Sequence, residues 1–137
     1  MSEKLFAEFC NENFGKFTRL SVHMFMIEVI LEIHKQVPAV VLDFTQKRRK
    51  QFAANEDVLE LVDWRTTCWN LIDNREPETN QDVAFLRAVL CLLFPIDDTS
   101  ESAAVLLDDF IMFMEMAGDF ESVFMSCRHL LLGQTTN

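Results

Sequence analysis

LSVHMFMIEVIL at residues 20–31 and VAFLRAVLCLLF at residues 83–94 are the two most apolar stretches of the chain, and their reading decides the fold. The first carries His23 and Glu28, the second Arg87. Both are too short to span a bilayer. Their apolar residues recur at spacings of three and four, the mark of a helix with a buried face. Around the first, Phe17, Leu20, Met24, Ile27 and Leu31 share one face, while Val22, Phe25, Val29 and Ile33 cover much of the rest. This pattern predicts a central helix from Lys16 or Phe17 to about Gln36. The second stretch opens at a capping box of Thr79 and Asp82 and is closed by Pro95, which cannot continue a helix.

Working outward, the same periodicity places five further helices. Ser2 caps a first helix to about Asn13, with Leu5, Phe6, Phe9 and Cys10 inward and Gly15 at its end. Pro38 suits the first turn of a third, whose Val40, Val41 and Phe44 lead into the basic run Lys47, Arg48, Arg49, Lys50. Asn55, Glu56 and Asp57 start a fourth, running to about Asn74, because a cap oxygen and acids suit the positive end of a helix. Asp97 to Ser100 begin a sixth that ends near Gly118, and Asp119 caps a seventh reaching about Leu132. Residues 134–137 are expected to fray. Three glycines and three prolines among 137 residues are too few for the turns of a sandwich or barrel. The expected fold is all-α: one compact domain over residues 1–137, a bundle of six to seven helices with the second and fifth innermost.

Chemistry is sparse. No glycine-rich phosphate loop, nucleophile elbow or paired Cys/His metal spacing occurs, and Gly15, Gly118 and Gly133 stand apart. Cys10, Cys68, Cys91 and Cys127 are widely spaced, mostly among apolar residues, as reduced core thiols in the cytoplasm are. Cys68, between Trp64 and Trp69, is the most conspicuous thiol and reads as structural. His23 and His34 lie three turns apart and read as partly exposed helix residues. These readings imply no enzyme, no cofactor and no metal. The N-terminus shows no secretory signal.

Charge is the remaining signal. The chain holds 22 acidic and 12 basic residues, a formal net charge of −10. Residues 1–50 carry a small positive excess, so the acidity belongs to the C-terminal two-thirds. Nucleic acid and anionic membranes are excluded as natural partners, and a basic protein is favoured. On the fourth helix Glu56, Glu60 and Asp63 share a face with Thr67 and Asn70. On the sixth, Glu101, Val105, Asp108, Met112, Glu115 and Asp119 form a stripe that interleaves acids with apolar residues. The candidate partner-binding set is Glu56, Glu60, Asp63, Asp97, Asp98, Glu101, Val105, Asp108, Asp109, Met112 and Glu115. Exposed Val105 and Met112 would equally suit a homodimer seam. The basic run 47–50 is expected to pair with the protein's own acids or with an acidic patch of the partner.

Trp64, Arg65, Cys68 and Trp69, followed by Leu86, Arg87, Ala88, Leu90, Cys91, Leu92 and Leu93, resemble segments of small helical bacterial immunity proteins. The similarity covers roughly residues 60–94. It implies a cytoplasmic antidote to a toxin delivered by contact-dependent or secretion-system competition, here a nuclease whose active or substrate-binding site is occluded. Within it Arg65 and Trp69, four apart, are placed to stack, and Trp and Arg would serve either as a core edge or as interface anchors. The alternative function is a helical adaptor or regulatory module that binds a peptide or helix of a cellular partner.

Overall fold

A computed structural model describes residues 5–13, 15–54, 60–94 and 100–133. Among the described residues seven α-helices follow one another: α1 Leu5–Glu12, α2 Arg19–Glu32, α3 Ala39–Ala54, α4 Leu61–Ile72, α5 Gln81–Leu92, α6 Ser100–Ala117 and α7 Glu121–Cys127. A 3₁₀ turn, Arg128–Leu132, extends α7. Among the described residues there is no strand, and the fold is the expected all-α bundle. No described helix is long and apolar enough to cross a membrane.

The two apolar stretches are the inner helices. In α5 every side chain from Val83 to Leu92 except Arg87 is buried, because α2, α3, α4 and α6 all pack around it. In α2 the buried stripe runs through Val22, Phe25, Met26, Val29 and Ile30. The sequence-based face is corrected here: Leu20 is 51% exposed and Met24 is also outward, since the contacts to α3, α5, α6 and α7 take the opposite side. The ends move too. Thr18 and Ser21 form a reciprocal capping box, each side-chain oxygen accepting the other's backbone N–H at 3.0 and 2.9 Å, so α2 starts after residue 17. Pro38 restricts Val37 to extended backbone, and residues 33–36 are turns rather than helix.

Aromatic packing joins the first and last helices to this centre. Phe6 stacks on Phe25 at 5.4 Å and meets Phe124 at 5.3 Å. The N–H of Phe6, unpaired within its own helix, donates to the Glu121 carboxylate at 2.8 Å. Leu5, expected inward, is 45% exposed, while Phe9 and Cys10 are half-buried. At the head of α5 the cap is Asn80, not Thr79: its side-chain oxygen accepts the Val83 N–H at 3.2 Å, and Asn80 holds the extended backbone that a cap requires. Asp119 accepts the Glu121 N–H at 3.3 Å, but the cap position of α7 is Phe120, one residue later than expected. Ser2, Asn55, Glu56, Asp57 and Pro95 lie outside the described residues.

The tail of α5 carries the main correction. Its last carbonyls have no partner within the helix, and side chains from three other helices converge on them. Arg48 of α3 donates through Nε to the Leu92 carbonyl and through Nη2 to that of Phe94, both at 3.0 Å, and through Nη1 to the Gln51 side-chain oxygen. Arg65 of α4 donates to the Leu93 carbonyl at 2.7 Å. His23 of α2 places Nδ1 at 2.8 Å from the Arg19 carbonyl and Nε2 at 3.2 Å from that of Phe94. Cations are favourable at a helix C-terminus because the carbonyl dipoles end there. Arg48 is therefore wholly buried and pairs with backbone rather than with acids, although Lys47 beside it does bridge to Asp43 at 3.0 Å. Burial lowers the Arg48 pKa to about 10, with Arg19 adding repulsion. His23, expected at the surface, is buried. Burial, opposed by the two carbonyl contacts and reinforced by Arg48 and Arg19, lowers its pKa to about 4.

Candidate functional site

Cys68, Cys91 and Cys127 are buried and Cys10 is half-buried. Cys68 is enclosed, its Sγ donates to the Leu86 carbonyl at 3.4 Å, and desolvation pushes it up to about 12. Cys10 and Cys91 are raised to about 12 for the same reason, and Cys127 is also raised. A thiol held so far from its thiolate is a poor nucleophile and a poor metal ligand. Among the described residues no three His, Cys, Asp or Glu side chains gather as a metal would need.

The outer side of α6 carries exposed acids and exposed apolar residues together. Val105 (60% exposed), Asp108, Met112 (43% exposed) and Glu115 form one continuous ridge, and Asp109 and Asp119 are exposed beside it. The helix turns these residues outward because Ala103, Leu106, Leu107, Phe110, Phe113, Met114 and Ala117 are spent against the core. On α4, Glu60, Asp63, Thr67 and Asn70 are all exposed in a row, while Leu61, Cys68 and Ile72 face inward. Glu56, Asp97 and Asp98 lie outside the described residues. Glu101 falls in the first turn of α6, and only its backbone is described.

Of these two rows only Asn70 and Met112 reach a common groove. A cavity of about 690 Å³ opens between the end of α4, the connection to α5, and α6, with Trp69 and Asn70 on one wall and Met112, Phe113 and Met116 on the other. Arg87 lines it from α5. A smaller groove, about 360 Å³, lies on the far side of the ridge among Cys10, Asn11, Asp108, Ile111, Met112 and Glu115. Met112 thus stands on a crest with a depression on either flank.

The aromatic side of the larger groove differs from the sequence-based pairing. Arg65 does not reach Trp69; it stacks on Phe94 at 4.8 Å. The cation over Trp69 is Arg87, with its guanidinium carbon 4.8 Å from that ring and 4.9 Å from Phe113, so it contacts both aromatic rings. Pairs within one helix can be read from a spacing of four, but this triad joins three helices. Its one trace in the sequence is that Arg87 is the sole charge in an otherwise apolar stretch. On α4 Val62 and Trp69 are outward as well, 59% and 48% exposed.

The groove's other wall is the α4–α5 connection. Asp73 and Asn74 both adopt left-handed backbone, with φ of 48° and 59°, a region that Asp and Asn tolerate better than most residues. Arg75 folds back to donate to the Ile72 carbonyl at 3.1 Å and to that of Leu71, which closes the C-terminus of α4. Asp73, Glu76 and Glu78 are left exposed along the rim. No known protein family, curated protein or solved structure matches the chain.

Proposed function

We propose that this protein is an inhibitor of the immunity type: it binds a toxin domain, most naturally a nuclease, and covers the basic surface with which that domain holds its substrate. The observation that carries the reading is the α6 ridge, where Asp108 and Glu115 alternate with exposed Val105 and Met112. A helix face kept only for solubility has no use for two large apolar residues among its acids, whereas an interface uses apolar anchors for residence time and acids for steering. The net charge of −10 favours encounter with a cationic partner. The work is done by occlusion, in the cytoplasm of the cell that carries both genes.

The test is co-expression. If the product of a neighbouring gene arrests growth, this chain should restore it and should co-purify with that product in a fixed ratio. Continued lethality with this chain abundantly expressed, or the absence of any toxin gene beside its own, would overturn the reading. A helical adaptor is the second reading, favoured by the peptide-sized groove beside the ridge. It predicts a partner that is harmless when expressed alone.

A further inference from the structure

Arg87 is held in an unusual way for a half-buried arginine. Its guanidinium lies between Trp69 and Phe113 at 4.8 and 4.9 Å, yet among the described residues it makes no hydrogen bond or ion pair. These ring contacts use none of the guanidinium's N–H groups as hydrogen-bond donors, and the planar group carries five of them. The group borders a cavity of about 690 Å³, room for several residues of an extended segment. Its side chain is already confined by the rings, so little rotamer entropy remains to be lost on binding.

We propose that this groove is a carboxylate-binding site: Arg87 receives, in bidentate fashion, an aspartate or glutamate side chain from a segment of a partner protein whose neighbouring residues are lysine or arginine. The planar fork matches a carboxylate edge to edge, which gives two parallel charge-assisted hydrogen bonds. The rim selects among anions. Asp73, Glu76 and Glu78 stand around the opening, so phosphate dianions and nucleic acid meet like charge, whereas a single carboxylate flanked by cations finds opposite charge at both places. Met112 and Met116 offer an adaptable apolar wall for the rest of the segment. The inference is independent of whether the partner is a toxin, and it assigns Arg87 a role beyond core packing.

The experiment is selection of a displayed random-peptide library on the intact chain, followed by calorimetry with the synthetic winners. The enriched peptides should share an acidic residue next to Lys or Arg. Changing that acid to its amide should weaken binding about tenfold or more, the equivalent of one good bidentate pair. Arg87→Lys, which keeps the charge but loses the fork, should cost as much with the same peptides. Met112→Arg, at an exposed position on the groove wall, should also abolish binding, and it serves as the second variant if Arg87→Lys proves unstable. Amidating the peptide's C-terminus should change nothing, and inorganic phosphate should not compete. Winners without an acid, amide peptides that bind equally well, binding indifferent to both variants, dependence on a free C-terminus, or competition by phosphate would each overturn the assignment. A failure of toxin rescue leaves this result untouched, and the reverse also holds.

Discussion

Arg48 and Arg87 both lie against aromatic rings in the same bundle, and they use their donors in opposite ways. Arg48 sits 4.4 Å from the Phe52 ring, is wholly buried, and directs three of its nitrogens at Leu92, Phe94 and Gln51. Arg87 is clasped by two rings and directs none of its N–H groups at any described residue. The first is a bolt that satisfies the tail of α5. The second is a cation whose hydrogen-bonding capacity faces a groove. A stacked arginine is thus identified as structural or available by counting where its N–H groups go, because the stack itself is common to both.

The sharpest way to break this contrast is Arg48→Met, which keeps much of the volume but leaves the Leu92 and Phe94 carbonyls without these donors. Stability should fall by about 3–5 kcal/mol in urea unfolding, since buried polar groups lose their partners. A loss below about 1 kcal/mol would show that the carbonyls find other donors.

Next comes pH. His23 is held near a pKa of about 4, against 6.5 as its ordinary value, so the unfolded chain binds a proton that the folded one refuses. Its contribution is fully present above pH 6.5 and is lost as the pH falls toward 4, where the loss should reach about 3 kcal/mol. Urea titrations of the wild type and of His23→Gln across this window should converge at acid pH. Parallel curves would mean that the imidazole enters the fold charged.

Arg87→Gln should be far milder, about 1 kcal/mol, because it removes two partly exposed stacking contacts and leaves no described acceptor stranded. Smallest of all, Asp108→Asn and Asp109→Asn should each move stability by less than about 0.5 kcal/mol. With a basic partner, however, they should slow association and flatten its salt dependence, leaving dissociation nearly unchanged. Stopped-flow association at rising salt is the measurement. Replacing Lys47, Arg49 and Lys50 with Ser should stay within about 1 kcal/mol for both folding and binding.

The helices and the two inner stretches were legible because apolar spacing is a local property, and so was the outward stripe on α6. The arginine roles were not. The run 47–50 reads as one basic patch by composition, yet Val41, Phe44, Arg48 and Gln51 recur at three and four, and that register alone carries Arg48 inward. His23 was misplaced because one of the two carbonyls its ring faces, that of Phe94, is 71 residues away. Arg87 was misassigned for a related reason: helical spacing reports neighbours on one helix, while Trp69 and Phe113 come from helices on either side of α5. Asn80 took the cap from Thr79 through a shift of a single residue, the scale at which helix ends are least determined by pattern.

The sequence contains two tryptophans and no tyrosine, and both indoles stand on α4. Trp64 is half-buried, packed against Phe44 at 6.5 Å with the Lys47 ammonium 5.9 Å from its ring, whereas Trp69 is 48% exposed on the groove wall over Arg87. The intrinsic fluorescence of the native protein therefore divides between one emitter at the edge of the core and one at the groove. Acrylamide should quench Trp69 well before Trp64, and the Trp64→Phe and Trp69→Phe variants each isolate one signal. The same helix that walls the groove in this way carries its own optical reporter, so occupancy and unfolding can be followed separately in a single unlabelled sample.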